Sequence, residues 1–294
     1  MPRTQNQLIF HSMASRLNTL AIDIEIATRL GFDGLETSGN KIKAFLDAGF
    51  TTQGLKARLG HLLLPGIGFL IDLERQGDGR RQMLREAEEL CVLASAAGAK
   101  GIEAITGPLD IRVYETDAAA RYPELYRGLV DLPTDAQSEL TAANLQAVAD
   151  IAASHGLLVY LEALSWTPLN TMDAQRRVLD RCKGDNVRIV VDFWHAYTSG
   201  DTPERIARLD KELIYGVHLC DSLLYTGGIP NEPVLRDVPT GQGVLDLQSW
   251  VDAVKSTGYA GWWSCELFCN RQHQDNSFAV ASDLKALMDR FIPA

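Results

Sequence analysis

The sequence predicts a single-domain α/β protein, a (β/α)8 TIM barrel that spans residues 1–294. Short apolar runs alternate with helical patterns along the whole chain, and there are eight such runs. One junction also recurs: a glycine follows a helix, a second glycine comes three residues later, and a short strand then ends in a glutamate. Eight repeats of one β/α unit in a chain of this length indicate one barrel, not two domains.

The recurring junction is present in GFDGLE at 31–36, GAKGIE at 98–103 and GYAGWWSCE at 258–266, with a looser version, HGLLVYLE, at 155–162. The first glycine suits the position just after a helix, where a left-handed backbone is accessible mainly to glycine. Each junction therefore marks the end of one helix and the start of the next strand.

The eight predicted strands are rich in Val, Ile, Leu and aromatic residues, which is typical of parallel strands buried on both faces. They lie near 7–13, 33–38, 66–73, 100–106, 157–164, 187–193, 214–220 and 261–267. The third strand can also be partly loop. Helical periodicity is clear at 80–98, 134–156, 171–182, 202–209, 247–258 and 277–291. Thr134 and Gln137 fit a capping box, and Pro203 fits the first position of a helix.

Composition favours a cytoplasmic enzyme that acts on a small molecule. The 38 acidic and 28 basic residues give a net charge of −10, which opposes binding to nucleic acid. The five cysteines contain no CxxC pair and are odd in number, which favours reduced thiols. The N-terminal residues MPRTQNQLIF lack the pattern of a signal peptide, and no stretch has the length of a membrane span.

Two connections that follow strands are long. Residues 107–133 follow the fourth strand and mix tyrosines with arginines, while residues 221–245 follow the seventh and contain several Gly and Pro. Long loops at the open end of a barrel are often lids or specificity loops. A surface excursion or an oligomer contact is an equally good interpretation.

Polar residues close the last four apolar runs: Glu162 in LLVYLEAL, Asp192 in VRIVVDFWH, His218 in LIYGVHLCDS and Glu266 in GWWSCELF. One such residue is explained most simply as a helix cap or an ion-pair partner. Four at equivalent positions on consecutive strands are better explained by convergence at the carboxyl end of the barrel. Three carboxylates and one imidazole there predict a site for a divalent metal ion.

Side chains alternate along a strand, so the residues two positions before these four should line the barrel interior. Those residues are Tyr160, Val190, Gly216 and Ser264, with Leu158 below Tyr160. Glu36 and Glu103 end two other strands. They either line the mouth of the barrel or pair with nearby Lys or Arg.

Three further residues are candidates for substrate binding. His195, three positions after Asp192, is predicted to lie just past the strand and above the metal. An exposed loop histidine is the alternative. Trp166 and Phe193 are predicted near the mouth, where an aromatic ring packs against the apolar face of a sugar. Trp262 and Trp263 come earlier in their strand and are interpreted as core.

On these residues the chain resembles the xylose-isomerase-like TIM barrels, the sugar phosphate isomerase/epimerase superfamily. The resemblance covers nearly the whole chain and depends on five features: Glu162, the D-x-x-H of Asp192 and His195, the H-x-x-D of His218 and Asp221, the R-x-x-x-x-G-x-G of Arg236, Gly241 and Gly243, and Glu266. It implies that Glu162, Asp192, His218 and Glu266 bind one divalent ion, Mn²⁺, Mg²⁺ or Co²⁺ and occasionally Zn²⁺. It also implies that His195 and Arg236 face the substrate.

The resemblance implies a metal-dependent isomerase or epimerase of a small sugar or keto-polyol. A proton is removed next to a metal-bound carbonyl to give an enediolate, with Glu162 and Glu266 as base and acid. One departure concerns Pro168, because similar ketose 3-epimerases carry a glutamate at that position. It weakens the assignment as a 3-epimerase and leaves the metal site untouched.

Three alternatives stay open at this stage. The same scaffold in similar proteins removes water from inososes and 3-dehydroshikimate, so a metal-dependent dehydratase or lyase is the second reading. An endonuclease IV-like repair nuclease would need an Asp and a His around Arg236, where this chain has Leu235 and Asp237. A non-catalytic binding protein is the third. The expected partner is a carbohydrate or keto-polyol, with no membrane partner, and the chain can form a homodimer or homotetramer.

Overall fold

The fold is an eight-stranded parallel barrel, seen in a computed structural model that describes residues 3–293. The strands close in sequence order, so each pairs with its neighbours along the chain and the eighth pairs with the first. They are β1 (Gln7–His11), β2 (Gly34–Ser38), β3 (Ile67–Leu70), β4 (Gly101–Ile105), β5 (Leu158–Glu162), β6 (Val187–Asp192), β7 (Ile214–His218) and β8 (Trp262–Ser264). The predicted TIM barrel is confirmed.

Thirteen α-helices lie in the described residues and mostly surround the barrel. They are α1 (Leu20–Leu30), α2 (Gly39–Asp47), α3 (Thr52–Leu59), α4 (Gly77–Ala97), α5 (Ala118–Arg121), α6 (Thr134–Ser154), α7 (Met172–Leu179), α8 (Phe193–Ser199), α9 (Pro203–Ile206), α10 (Glu232–Leu235), α11 (Leu247–Ser256), α12 (Asn270–His273) and α13 (Ser277–Phe291). Three 3₁₀ turns, at Ser12–Ser15, Ile111–Tyr114 and Lys211–Leu213, complete the elements.

The ends of several elements differ from the sequence prediction. Strand β8 has only three residues, so Glu266 lies two residues beyond its end. The predicted capping box is wrong, because Pro133 caps α6 and the Gln137 side chain donates instead to the carbonyls of Leu129 and Leu132. Pro203 does occupy the first position of α9, as predicted.

A small apolar cluster fills the barrel below its mouth. Ile9, Tyr160, Val190 and Trp262 form it, with Leu158 packed against them. Tyr160, Val190 and Leu158 therefore point inward, as strand alternation predicts. A side chain at Gly216 would overlap the ring of Trp262, so the glycine on β7 leaves room for the largest residue of the cluster. This packed floor closes the barrel beneath the four polar strand ends.

Two buried acidic side chains anchor the two long loops. Glu74 is fully buried and accepts from the backbone N–H of Gly107 at 2.8 Å and from Thr141 Oγ1 at 3.3 Å, which holds the start of the 107–133 loop.

No helix in residues 3–293 has the length and apolar character needed to cross a membrane.

Asp221 anchors the second loop. Its two oxygens accept the backbone N–H groups of Ser222, Gly241, Gly243 and Leu245 at 2.8–3.2 Å. A side chain on Gly243 would overlap the Asp221 carboxylate. Asp221 of the H-x-x-D motif and the two glycines of the G-x-G motif thus bind each other, and this contact holds the loop in place.

We expect Asp221→Asn to loosen residues 221–245. An amide nitrogen cannot accept, so up to two of the four hydrogen bonds are lost, each contributing on the order of 2 kcal/mol when the acceptor is charged. Hydrogen–deuterium exchange should become faster in this loop, while β1–β4 keep their rates. Asp246→Asn is the matched control, because Asp246 caps α11 and Asn caps a helix equally well. Unchanged exchange in residues 221–245 of Asp221→Asn would contradict this role.

Burial should make Glu74 a source of pH-dependent stability. Desolvation raises the pKa of Glu74 from 4.5 to about 8. Between these pH values the folded chain keeps a proton that the unfolded chain releases, so the free energy of unfolding falls as pH rises, by about 1.4 kcal/mol per pH unit. In Glu74→Gln this contribution disappears, and urea unfolding from pH 5 to 8 should show a flatter profile than the wild type. The exposed Glu139→Gln on α6 should keep the wild-type slope, and a wild-type slope in Glu74→Gln would refute the assignment.

Candidate metal centre and substrate pocket

The four polar residues that close the last strands meet at the mouth of the barrel. Glu162, Asp192 and His218 are the final residues of β5, β6 and β7, and Glu266 follows β8. One ligand atom from each lies within 4.8 Å of the others, so the four could hold one metal ion. The four residues that the sequence groups together therefore also lie together in the structure.

His218 Nδ1 lies at the centre of this group. It is 3.4 Å from Glu162 Oε1, 3.7 Å from Asp192 Oδ2 and 3.9 Å from Glu266 Oε2. His218 and Asp192 are each 1% exposed and Glu162 is 5% exposed. The ligand atoms thus converge in a nearly dry environment, where interactions between charges are strong.

Two of the buried ligand atoms have no hydrogen-bond partner: Glu162 Oε1 and His218 Nδ1. An orphaned polar atom in the interior is costly, because its hydration is lost without replacement. Both atoms point to the same centre. A divalent cation bound there would satisfy both, so the donor set fits a metal ion.

Glu162 and Glu266 differ in protonation. Burial raises the pKa of Glu162 to about 7. Burial also acts on Glu266, but Arg236, whose Nη2 donates to Glu266 Oε2 at 2.8 Å, lowers the pKa of that carboxyl to about 2. At neutral pH Glu266 is ionised, while Glu162 exchanges its proton readily. Such a split between two carboxyl groups is typical of acid–base pairs.

The pocket above this centre has a volume of about 370 Å³, enough for a small sugar or cyclic polyol. Its wall includes Glu162, Glu266, His195, Arg236 and Trp166. The 107–133 loop contributes Leu109 to the wall, and the 221–245 loop contributes Glu232 and Arg236. Both long loops therefore reach the mouth, as the lid or specificity interpretation expects.

His195 is buried beside the centre and is not an exposed loop residue. Its Nδ1 accepts the backbone N–H of Ser165 at 3.1 Å, so the neutral ring carries its proton on Nε2. Burial lowers the pKa of His195 to about 4, which keeps the ring neutral. His195 lines the pocket and is suited to donate a hydrogen bond there through Nε2–H.

Arg236 is 2% exposed and its charge is already paired. The guanidinium donates to Glu266 and, through Nη1, to Glu232 Oε1 at 3.0 Å. It also lies 4.0 Å from the ring centroid of Phe268. Arg236 therefore borders the pocket mainly as the partner of two carboxylates, with little of its charge left for an anionic substrate.

The two aromatic candidates differ in their surroundings. Trp166 lines the pocket, and its indole N–H donates to the carbonyl of Pro108 at 3.1 Å. The prediction that Phe193 faces the substrate is wrong. Phe193 is fully buried against Trp250, with ring centroids 5.5 Å apart, outside the pocket. It begins α8, and that helical turn directs its side chain toward α11.

Several pocket residues were only partly foreseen from the sequence. Glu36 and Glu103 do line the mouth, and neither forms an ion pair with Lys or Arg among the described residues. Burial raises the pKa of Glu103 well above its usual value. His11 was missed, although it closes an apolar run in the same way as His218. Glu232 lies in a long loop with no distinguishing pattern.

Several curated relatives match this chain. The inosose isomerase of Bacillus subtilis is 22% identical over 268 residues, 89% of each chain. The 3-dehydro-D-guloside 4-epimerase of Escherichia coli is 25% identical over 268 residues, 88% of each chain. The 3-dehydroshikimate dehydratase of Pseudomonas aeruginosa is 32% identical over 131 residues, which cover 44% of this chain and 20% of that protein.

Among solved structures, the IolI protein with a bound zinc atom superposes with a TM-score of 0.84 at 19% identity, covering 97% of this chain and 98% of that one. This similarity confirms the fold. The model of the xylose isomerase-like TIM barrel family matches residues 24–290. Since that match covers most of the sequence, the chain belongs to the xylose isomerase-like TIM barrel family.

Proposed function

We propose that the protein is a divalent-metal-dependent isomerase or epimerase of a small sugar or keto-polyol. The observation that carries the proposal is the pair of orphaned ligand atoms, Glu162 Oε1 and His218 Nδ1, at the centre of a four-residue site in the barrel mouth. Relatives that match the chain over nearly 90% of its length are an isomerase and an epimerase, which supports this class of reaction.

Glu162, Asp192, His218 and Glu266 would hold the metal ion. Three carboxylates and one imidazole suit Mn²⁺, Mg²⁺ or Co²⁺, and the zinc in the similar IolI structure makes Zn²⁺ a further candidate. When bound, the ion acts as a Lewis acid that stabilises negative charge on the oxygens of the substrate. The remaining contributions come from residues of the chain.

The two glutamates are assigned to proton transfer. Glu266, ionised through its pairing with Arg236, accepts the proton from the carbon next to the substrate carbonyl. Glu162, whose Oε1 faces the centre of the site, would return a proton to the opposite face from its other oxygen. One proton leaves the substrate and one is returned, so the product is an isomer.

Two neighbouring residues are assigned to orientation. His195, neutral and with its proton on Nε2, donates a hydrogen bond to a substrate oxygen. Trp166 offers its ring to an apolar face of the substrate. Together they would hold the reacting carbon between the two carboxylates, where correct orientation contributes much of the rate.

A metal-dependent dehydratase or lyase of a cyclic keto-polyol is the second candidate. The local match to a 3-dehydroshikimate dehydratase favours it, as does Pro168 at the position of the glutamate found in similar ketose 3-epimerases. The first proton abstraction is the same. A hydroxyl group would then leave as water with a proton from one of the two glutamates, while His195 Nε2–H donates a hydrogen bond.

A repair nuclease of the endonuclease IV type receives no support from the site. Leu235 offers no ligand atom, and Asp237 Oδ1 accepts the backbone N–H of Asn270 at 2.7 Å, away from the centre. The groups of residues in the described chain that could hold a metal do not include either position. The net charge of −10 also opposes binding to DNA.

The reaction class can be read from exchange with D₂O. The protein with Mn²⁺ is incubated with ketoses, inososes or 3-dehydroshikimate, and the products are followed by NMR. Deuterium in recovered or epimerised substrate supports the isomerase or epimerase, whereas an enone product supports the dehydratase. A protein that exchanges no proton in any of these compounds would contradict both.

We expect Glu162→Gln and Glu266→Gln to lower turnover of the substrate found in that panel by at least about 100-fold, because each removes a group that carries the proton. Circular dichroism should show an intact barrel in both variants. Glu139→Gln, on the exposed face of α6, should retain wild-type turnover. Near-normal rates in both pocket variants would refute the assignment of the two glutamates.

A further inference from the structure

The carboxylate of Glu36 is a hydrogen-bonding centre inside the barrel. Glu36 is the middle residue of β2, is 2% exposed, and accepts from groups on other strands. Tyr160 Oη donates to Oε1 at 3.1 Å, and Ser264 Oγ donates to Oε2 at 3.0 Å. His218 Nε2 lies 3.3 Å and His11 Nε2 lies 3.7 Å from Oε2. The carboxylate is therefore compensated by neutral donors and imidazoles, with no Lys or Arg side chain of residues 3–293 paired to it.

The contact with His218 links Glu36 to the metal site. The two nitrogens of His218 face opposite ways: Nδ1 faces Glu162, Asp192 and Glu266, while Nε2 faces Glu36. A carboxylate accepts hydrogen bonds only, so with a metal ion at Nδ1 it holds the remaining proton of His218 on Nε2. That tautomer leaves the lone pair on Nδ1, which a metal ion requires.

His11 could be taken for a ligand of a second metal ion, because it forms a compact group with Glu36 and His218. Its hydrogen bonds indicate otherwise. His11 Nδ1 accepts the backbone N–H of Met13 at 3.1 Å, so a neutral His11 carries its proton on Nε2, the nitrogen that faces Glu36. Both histidines thus present an N–H to Glu36, and neither offers it a lone pair. The group supports the first site instead of forming another.

We infer that Glu36 is a positioning residue for the metal site, which holds His218 with its proton on Nε2 and its Nδ1 lone pair directed at the metal. The inference rests on the proposed function, because it assumes that His218 binds a metal ion. It adds a residue that neither the motifs nor the family resemblance assign. Outer-sphere carboxylates of this kind typically change metal affinity by 10- to 100-fold.

The first test measures the dissociation constants of Mn²⁺ and Co²⁺ by isothermal titration calorimetry in the purified full chain. Glu36→Gln keeps the size of the side chain and one acceptor oxygen but loses the charge, and should bind at least about threefold more weakly. Glu36→Leu also loses the acceptor, and should bind about 10- to 100-fold more weakly than wild type. Glu74→Gln is the matched control, since Glu74 is also buried but contacts Gly107 and Thr141, away from His218.

Glu36→Gln that binds both ions within twofold of wild type would overturn the inference, even if Glu36→Leu fails to fold. Equal affinities in a folded Glu36→Leu and in Glu36→Gln would also overturn it, because the acceptor would then be irrelevant. A loss in Glu74→Gln as large as that in Glu36→Gln would overturn it too, since any buried carboxyl would have the same effect.

The second test reads the proton directly by ¹⁵N-edited NMR of the histidine side chains. We expect the wild type loaded with diamagnetic Zn²⁺ to show the His218 proton on Nε2 with slow exchange against water, and Glu36→Leu to exchange it faster. A proton on Nδ1 in the Zn²⁺-loaded wild type would overturn the inference. If the wild type binds no metal ion, the proposed function fails, and the exchange rates of the Nε2 proton in metal-free wild type and Glu36→Leu still decide whether Glu36 holds that proton.

Discussion

The crowding of acidic groups in the barrel mouth is the constraint on which the rest of the structure depends. Glu36, Glu103, Glu162, Asp192 and Glu266 are all nearly buried around one pocket. Like charges at such distances in a dry environment destabilise the fold unless protons, cations or hydrogen-bond donors compensate them. A different group offsets the buried charge of each carboxyl group. This difference gives each carboxyl group a different role in the site.

Glu36 accepts hydrogen bonds, burial raises the pKa of Glu103 and so favours its neutral form, and Glu266 is paired with Arg236. Burial also raises the pKa of Glu162 to about 7, but its Oε1 is left without a partner beside His218 Nδ1. A bound cation is the compensation that this part of the mouth lacks. Arg236 can serve Glu266 only because the 221–245 loop is held in place, and the four backbone hydrogen bonds to Asp221 hold it.

Much of the site could be predicted because it follows from periodicity. The carboxyl ends of successive parallel strands meet at one end of the barrel, which predicted the grouping of Glu162, Asp192 and His218. Alternation of side chains along each strand also predicted correctly that the residues two positions earlier point into the barrel. Phe193 was misplaced because Asp192 is also the N-cap of α8, accepting from the backbone N–H of His195 at 2.7 Å. The chain becomes helical at once, and the spacing of a helix, not of a strand, then sets the direction of Phe193.

Other features depend on tertiary contacts that periodicity does not report. Pro133 occupies the N-cap position of α6 without a capping side chain, and the role of Gln137 depends on where the preceding loop carbonyls lie. The tautomer of His195 is set by the backbone N–H of Ser165, and His218 contacts Glu36, both far away in sequence. Glu232 reaches the pocket only because its loop folds back over the mouth.

The claim that one divalent ion occupies the barrel mouth is tested most directly by crystals grown with Mn²⁺ and measured for anomalous scattering. We predict one strong anomalous peak within about 2.0–2.6 Å of ligand atoms from Glu162, Asp192, His218 and Glu266. The absence of a peak among these residues in crystals soaked with Mn²⁺ would contradict the claim. A second peak of equal height beside His11 would contradict the assignment of a single ion.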